Sequence, residues 1–291
     1  MIKVLISGGG GLLGQYLNIK LSKEFDILTL YHSNPGNCSK FNSQKIDLTN
    51  NKSTIDTLNK FKPDVVIHLA SISNTALADK LDRSYINQVN IEATKFIADW
   101  CGINNTKIIF TSTDLVYKGN FSSMLKENAP VEPLSYYAES KLIGEEKIKE
   151  LTDNYIILRT SLLYGIPLSN NGCFFKTMYD NLKEGKKVKL FNDQFRTPLS
   201  LLEASRIIKE LISKDIKEEI INFGGIERIS RLKLGEILCE EATLNKSLIE
   251  SISMDDIDFK YKVKDVSMDT SKLDDLGIKR LDVRESIREI F

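Results

Sequence analysis

Histidine and cysteine are scarce in this sequence, and the few that occur are scattered. The only histidines are His32 and His68, which excludes a metal site built from several histidines. The four cysteines lie far apart and include no Cys-x-x-Cys pair, which argues against a disulfide-stabilised scaffold and a thiolate zinc site. We therefore expect a globular protein without a metal centre.

A charge imbalance and a long apolar run are also missing. Forty basic residues balance forty acidic ones, so no general attraction to nucleic acid or to an anionic membrane is expected. No run of about 18 apolar residues occurs, which argues against a transmembrane helix. The first residues lack the charged and apolar regions of a secretory leader. We expect a cytoplasmic protein that binds neither nucleic acid nor membrane.

Strand patterns alternate with helix patterns through the first 160 residues. Strands are predicted over residues 2–7, 26–33, 64–70, 107–112 and 155–160, and helices from residue 11 and over residues 52–61, 85–101 and 135–151. The strands are apolar without clean alternation, which indicates burial on both faces. The pattern predicts an α/β fold, a Rossmann-like doubly wound parallel sheet with helices on both faces.

The rest of the chain is more mixed and has no linker rich in proline, glycine or serine. Helices are predicted near residues 174–185 and over 199–213, with a strand over 220–224. We expect residues 1–160, with a returning segment near 199–224, to form the sheet domain. Residues 161–198 and 225–291 are expected to form a smaller C-terminal lobe.

A glycine cluster follows the first predicted strand and opens a helix. Gly8, Gly11 and Gly14 form a Gly-x-x-Gly-x-x-Gly pattern, with Gly9 and Gly10 between them. Glycine permits the tight turn and a close approach of backbone to a pyrophosphate, while the helix N-terminus attracts negative charge. The context favours a dinucleotide site, and a flexible strand-to-helix turn is the alternative.

The end of the second predicted strand carries no carboxylate. Many dinucleotide sites place an acid about 20 residues after the glycines, where it binds the ribose 2′-hydroxyl. His32 tolerates a 2′-phosphate better than an acid does, which slightly favours NADPH over NADH; an exposed loop residue is the alternative. Asp47, after the third strand, is predicted to bond to the adenine or else to cap the next helix.

Tyr137 and Lys141 lie four residues apart in a predicted helix and share one face. A tyrosine with a reference pKa near 10 needs a cation close by to work at neutral pH, and Lys141 and an oxidised nicotinamide would supply one. The strand before this helix ends in Ser112-Thr113-Asp114, where open parallel sheets bind ligands. We predict that Thr113 orients a substrate carbonyl and that Tyr137 donates a proton to it. A surface Tyr-Lys pair is the alternative.

Two further polar residues, Asn90 and His68, are expected to support the structure and not to react. Asn90 lies on a helix that should flank the fourth strand, and we expect it to support the site and not to take part in the reaction. His68 lies inside an apolar strand and is expected to be a hydrogen-bonded core residue, not a ligand for a metal or a substrate.

Several motifs occur together in the order seen in one family. They are GGGGLLG, STDLVYKG, YYAESKLIGEE, RTSLLYG, NDQFRTP and DVSMDTSKLDDLGI. In this order the chain resembles, essentially end to end, the dTDP-4-dehydrorhamnose reductases of the extended short-chain dehydrogenase/reductase superfamily. The resemblance implies an NAD(P)H-dependent oxidoreductase of polysaccharide biosynthesis that reduces the 4-keto group of a nucleotide-activated 6-deoxysugar. It also implies that the sheet domain binds NAD(P) and the smaller lobe binds the sugar nucleotide.

The resemblance assigns roles to individual positions. Thr113, Tyr137 and Lys141 match the catalytic triad of the family. Asp114, Leu162 and Arg196 match positions near the sugar. The predicted cofactor-binding residues, from the glycine motif and the resemblance together, are Gly8, Gly11, Leu12, Leu13, Gly14, His32, Asp47, Leu48, Ser71 and Ser73.

Four departures from the family pattern lie on the substrate side. Leu162 stands where the family often has tryptophan, Arg196 where a small residue is common, and Val263-Lys264 where arginine-proline is usual; residues 71–80 also differ. A guanidinium suits phosphate, so we predict that Arg196 holds the diphosphate of the sugar nucleotide. A surface ion pair with Asp193 is the alternative.

Two other functions stay open. Epimerases and dehydratases of the same superfamily regenerate the cofactor within one turnover. Other relatives bind the dinucleotide yet serve as a non-catalytic regulatory subunit of methionine adenosyltransferase. A homodimer is the candidate assembly.

Overall fold

A computed structural model describes residues 1–73, 78, 80–119, 122–169 and 172–291. Half of the divergent run at residues 71–80, namely 74–77 and 79, therefore lies outside the described residues. The chain divides into two compact units. The first unit comprises Met1–Val116, Pro133–Arg159 and Ser205–Ile221; the second comprises Tyr117–Glu132, Thr160–Ala204 and Asn222–Phe291.

The strands and helices of the described residues are numbered along the chain. The strands are β1 (Lys3–Ser7), β2 (Asp26–Tyr31), β3 (Ser43–Lys45), β4 (Val65–His68), β5 (Lys107–Thr113), β6 (Tyr155–Thr160), β7 (Leu163–Tyr164), β8 (Val188–Phe191), β9 (Phe195–Arg196), β10 (Leu199–Ser200), β11 (Glu219–Phe223), β12 (Ile229–Ser230) and β13 (Ile249–Ile252). The α-helices are α1 (Leu12–Leu21), α2 (Asn51–Phe61), α3 (Arg83–Ile86), α4 (Ala93–Ile103), α5 (Tyr136–Leu151), α6 (Phe174–Lys183), α7 (Leu201–Ile212), α8 (Arg231–Glu241), α9 (Ser271–Asp275) and α10 (Val283–Arg288). None of these helices combines the length and the apolar character that crossing a bilayer requires.

The first unit is built around a seven-stranded sheet in the order β11-β6-β5-β4-β1-β2-β3. Strand β1 pairs in parallel with β2 and β4, and the pairs β2–β3 and β4–β5 are also parallel. Every residue of β4 is buried, as expected for a strand covered on both faces. Trp100 and Ile97 of α4 pack with Val66 and Ile108 of the sheet in one core cluster. The predicted Rossmann-like α/β fold is confirmed.

The second unit has short strands in place of a long sheet. Strands β7 and β10 pair in parallel, β9 and β12 pair antiparallel, and β8 and β13 pair in parallel. Its core contains Tyr164, Phe175, Leu190, Leu234 and Ile287. The helices α6 and α7 lie where the sequence predicts them, but strands of two to four residues carry too little periodicity to be predicted.

The predicted helix over residues 85–101 is interrupted. Residues Asn87–Glu92 form a π-helical segment between α3 and α4, and the N–H of Ala93 donates to the carbonyl of Gln88, five residues earlier. Such segments are rare and often lie at functional sites. This segment carries Asn90.

Candidate active site

The glycine-rich turn connects β1 to α1 and packs closely against other backbone. Gly8 has a φ of +73°, a conformation that favours glycine. A Cβ on Gly14 would lie 2.4 Å from the carbonyl oxygen of Gly8, and one on Gly9 would lie 1.7 Å from Oγ1 of Thr29. The turn therefore requires glycine at these positions.

The N-terminus of α1 offers backbone donors to an anion. Gly11 is the N-cap and no side chain caps the helix. The first N–H groups of a helix have no partner within it and carry the positive end of its dipole. Leu12 and Leu13, half-buried and buried respectively, contribute such groups. The donor set and the close-packed glycine turn fit the pyrophosphate of a dinucleotide.

Two buried amides of α1 hold this turn, and sequence analysis missed them. Gln15 Nε2 donates to the carbonyl of Gly10 at 3.1 Å. Asn18 Nδ2 donates to the carbonyl of Gly9 at 3.1 Å and to Asn37 Oδ1 at 2.8 Å. Both amides are fully buried. The available signal was a pair of amides three residues apart on the helix that follows the glycines.

The ends of β2 and β3 carry His32 and Asp47. His32 is exposed, and Leu48 packs half-buried against the core of the first unit. Asp47 Oδ1 accepts hydrogen bonds from the N–H of Thr49 at 2.9 Å and from its hydroxyl at 2.7 Å. These bonds, with a smaller contribution from His32, lower the pKa of Asp47. The capping alternative for Asp47 is wrong, because Asn50 caps α2.

Asn90 links the segment after β4 to the helix that carries the Tyr-Lys pair. Its Oδ1 accepts from the N–H of Ile72 at 2.8 Å, and its Nδ2 donates to Ser140 Oγ at 2.9 Å. Ile72 is flanked by Ser71, which is half-buried, and Ser73, which is exposed. Asn90 itself is fully buried. The supporting role predicted for Asn90 is consistent with these contacts.

Thr113, Asp114 and Tyr137 are brought together at the end of β5. Thr113 Oγ1 donates to Asp114 Oδ1 at 3.3 Å, and Thr113 also hydrogen-bonds to Tyr137. All three are buried. The surface alternative for the Tyr-Lys pair is wrong, because Lys141, one turn further along α5, is also buried.

The predicted lowering of the Tyr137 pKa by Lys141 is not what the structure shows. Burial and then the negative charge of Asp114 raise the pKa of Tyr137 to about 12, and the hydrogen bond with Thr113 only partly opposes them. Tyr137 is therefore protonated at neutral pH, which is the state that a proton donor needs.

Lys141 is buried beside an aromatic ring. Its Nζ lies 3.9 Å from the centroid of the Phe110 ring, a cation–π contact. Burial lowers the pKa of Lys141 to about 7, although the negative charge of Glu145 opposes this effect. The charge of Lys141 near neutral pH thus depends on its immediate surroundings.

His68 is a hydrogen-bonded core residue, as predicted. Its Nδ1 lies 2.6 Å from Ser7 Oγ and its Nε2 lies 3.0 Å from Thr94 Oγ1. Burial, and then the charge of Lys141, lower the pKa of His68 to about 3. The ring is therefore neutral, so it adds no second positive charge beside Lys141.

In the second unit, the guanidinium of Arg196 is bonded to backbone carbonyls. It is only 7% exposed and donates to the carbonyls of Phe195 at 2.6 Å, Val263 at 3.2 Å and Lys264 at 3.4 Å. Arg196 therefore joins β9 to the segment in which the family's arginine-proline is replaced. Leu162 packs half-buried against the core of this unit.

Asp193, the alternative partner of Arg196, lies in a different network. It accepts hydrogen bonds from Ser253 Oγ at 2.7 Å and from the N–H of Met254 at 2.8 Å. Its carboxylate is also 3.1 Å from Lys264 Nζ. The surface role proposed as the alternative for Arg196 does not agree with its burial.

Several known proteins are similar to this chain in sequence or in structure. A dTDP-4-dehydrorhamnose reductase of Aggregatibacter actinomycetemcomitans is 30% identical over 77% of this chain and 72% of its own length. The beta subunit of methionine adenosyltransferase 2 of Mus musculus is 23% identical over 99% of this chain and 86% of its own length. The crystal structure of a dTDP-4-dehydrorhamnose reductase of Bacillus anthracis in complex with NADP superposes with a TM-score of 0.87. It is 23% identical and covers 100% of this chain and 99% of that one.

The family assignment rests on the length of the match. The model of the family described as the RmlD substrate binding domain matches residues 2–291. The enzyme class predicted from the sequence agrees with the reductases among the relatives. The resemblance to the dTDP-4-dehydrorhamnose reductases is thus confirmed, and this chain belongs to the RmlD substrate binding domain family.

Proposed function

We propose that this protein reduces the 4-keto group of a nucleotide-activated 6-deoxysugar at the expense of NADPH or NADH. One observation carries the proposal: Thr113, Tyr137 and Lys141 are gathered in the unit that contains the glycine turn. The reductases among the relatives support it.

Tyr137 is the proposed proton donor. The phenol is protonated at neutral pH, and its Oη gives the proton to the carbonyl oxygen as that oxygen gains charge. Thr113 Oγ1 donates a hydrogen bond to the same oxygen and fixes the orientation of the carbonyl. Lys141 binds the ribose of the dinucleotide and, as an ammonium, stabilises the phenolate left after proton transfer. The reduced dinucleotide supplies the hydride when bound.

The dinucleotide is proposed to bind in the first unit. The N–H groups at the start of α1 hold the pyrophosphate, and Asp47 bonds to the adenine. His32, exposed and without a neighbouring carboxylate in sequence, slightly favours NADPH. The full proposed set is Gly8, Gly11, Leu12, Leu13, Gly14, His32, Asp47, Leu48, Ser71 and Ser73.

Asp114 is proposed to contact the sugar, as the resemblance to the family implies. On the same ground, Leu162 and Arg196 are proposed to contact the sugar nucleotide. A guanidinium is suited to binding a diphosphate, which supports this assignment for Arg196. A cytoplasmic location and a homodimeric assembly stay predictions.

The proposal is tested with a panel of 4-keto-6-deoxy sugar nucleotides carrying dTDP, GDP, UDP or CDP. We expect at least one to cause stoichiometric loss of NADPH absorbance. An epimerase or a dehydratase would convert its substrate without net NADPH consumption. No consumption with any member of the panel would contradict the proposal.

A regulatory role is the second candidate, because the methionine adenosyltransferase subunit matches 99% of this chain. Catalysis is favoured, since Thr113, Tyr137 and Lys141 are all present and buried together. A chain that bound NADPH but reduced no member of the panel, and that changed the activity of a methionine adenosyltransferase, would support the regulatory role.

A further inference from the structure

A buried ion pair lies next to the Tyr-Lys helix. Glu145 is on α5 and Arg159 on β6, and their side chains are 0% and 5% exposed. Arg159 Nη2 lies 2.8 Å from Glu145 Oε2, and Arg159 Nε lies 3.1 and 3.2 Å from the two carboxylate oxygens. Ser112 Oγ donates to Oε1 at 2.5 Å. The carboxylate is therefore held from two neighbouring strands.

Glu145 follows Lys141 by one helical turn, so the two side chains share a face of α5. Both are fully buried. A buried ammonium is strongly disfavoured without a nearby opposite charge. The charge of Glu145 is the one that opposes the effect of burial on the pKa of Lys141.

The other elements around Lys141 offer it little negative charge. On β4, His68 is neutral at physiological pH. On β6, Arg159 is a cation, and on β5 the ring of Phe110 supplies only a cation–π contact. Asp114, which follows β5, carries a negative charge that acts on Tyr137.

A buried ion pair is also a costly way to hold a helix against a strand. Replacing such a pair by apolar residues of similar volume is often neutral or stabilising. A pair that contributes little to the fold can nonetheless place a fixed carboxylate beside a functional lysine.

We propose that Glu145 is a positioning residue: held by Arg159 and Ser112, its carboxylate keeps the buried Lys141 ammonium protonated for the reaction. The catalytic importance of Lys141 rests on the proposed function. The effect of the Glu145 charge on the pKa of Lys141 does not rest on the proposed function, and it can be tested without a substrate.

The first experiment measures the free energy of unfolding of the full chain by urea against pH. A lysine with a folded pKa near 7 and an unfolded value near 10.5 binds fewer protons in the native state between these values, so stability rises with pH in that window. Subtracting the same curve for Lys141→Met isolates the contribution of Lys141.

In Glu145→Gln, we expect the lower end of this window to move down by about one to three pH units, the effect of losing one close opposite charge. Glu145→Asp should restore most of it. Ser112→Ala is the matched control, since it removes a hydrogen bond from the same carboxylate but keeps the charge, and its window should stay near that of the wild type. An unmoved window in folded Glu145→Gln would overturn the proposal.

Glu145→Gln leaves Arg159 buried without its partner and is prone to unfolding. The double variant Glu145→Gln/Arg159→Met removes both charges. We expect it to fold and to show a smaller downward movement of the same window. Failure of both variants to fold would assign the pair to the fold alone and overturn the proposal.

The second experiment measures kcat/KM against pH with whichever sugar nucleotide is reduced. The alkaline limb should move down in Glu145→Gln in the same direction as the unfolding window. If no sugar nucleotide is reduced, the proposed function fails, whereas the unfolding experiment still decides the role of Glu145.

Discussion

The two units pair their backbone groups in different ways. In the first unit, strands of three to seven residues bond to one another across a seven-stranded sheet. In the second, the strands are only two to four residues long, and several backbone carbonyls are bonded by side chains. A buried backbone group without a partner is costly, so the second unit needs side chains for this purpose.

Arginine and asparagine side chains take part in this pairing in the second unit. Arg196 donates to three carbonyls, and Arg280 donates to the carbonyls of Gly224 and Gly225. Asn222 Nδ2 donates to two carbonyls, each at 2.8 Å. In the first unit, Gln15, Asn18 and Asn90 also bond to backbone, but they do so in segments outside the sheet strands.

The largest effect is expected for Tyr137→Phe. This substitution removes the hydroxyl of the proposed proton donor, which lies in the first unit. We expect kcat to fall by a factor of about 10² to 10⁴, the range for losing a general acid, with the Kd for NADPH nearly unchanged. Steady-state kinetics and NADPH fluorescence titration measure the two effects.

The neighbouring tyrosine provides the control. Tyr136 donates its hydroxyl to Asn87 Oδ1 at 2.5 Å, so Tyr136→Phe loses a structural hydrogen bond and should keep most of the turnover. Wild-type turnover in Tyr137→Phe would remove Tyr137 from the reaction.

The next largest effect is expected at the glycine turn. In Gly14→Ala the new Cβ would lie 2.4 Å from the Gly8 carbonyl, so the turn must shift. Overpacking of this kind costs about 1–3 kcal/mol, and a comparable loss in binding would weaken NADPH roughly 5- to 150-fold. Gly172→Ala is the control, because no heavy atom lies within 4 Å of its Cβ position. A folded Gly14→Ala with an unchanged Kd would argue against dinucleotide binding at this turn.

Arg196→Ala and Arg280→Ala separate fold from function within the second unit. Both arginines bond to backbone carbonyls, so each substitution should lower the free energy of unfolding by about 1.5–3 kcal/mol. Only Arg196→Ala should also raise KM for the sugar nucleotide, by about tenfold, with KM for NADPH unchanged. Equal KM values in the two variants would leave Arg196 a purely structural residue.

The last expected effect is on stability alone and concerns His68, a first-unit polar residue that serves the fold. Its pKa is about 3 in the native state against 6.5 in the unfolded chain, so the unfolded state binds the extra proton between these values. Stability should therefore fall as pH falls below 6.5, by at most about 1.4 kcal/mol per pH unit. Urea unfolding between pH 4 and 8 should show this slope in the wild type and in His32→Gln, but a weaker one in His68→Gln. If all three proteins showed the same slope, the pH dependence of stability would come from side chains other than His68.

The two units also differ in how much of their structure the sequence predicts. Apolar strands and amphipathic helices repeat with a period in the first unit, so its elements and the glycine turn are predictable. The partners of Arg196 and the strands β7 to β10 depend on residues far apart in the chain. The sequence shows that Lys141 is near Tyr137, but it shows neither the burial of Tyr137 nor the placement of Asp114, which together raise its pKa. The predicted lowering also depends on an oxidised nicotinamide.

The amides Gln15 and Asn18 were missed for a related reason. Polar residues on a helix are usually solvated, and a sequence does not show that the backbone of a turn comes close enough to bond to them. Only the close packing of Gly9 and Gly10 makes these side chains necessary.

The π-helical segment at Asn87–Glu92 makes the chain length between α3 and α4 critical. A π-turn holds about one residue more than an α-turn, so deleting one residue within this segment would let a regular α-helix form across it. In an α-helix each residue turns by about 100°, and Asn90 would rotate away from Ile72 and Ser140. Insertions and deletions in this segment should therefore be less tolerated than substitutions, as expected for part of a helix and unlike a loop.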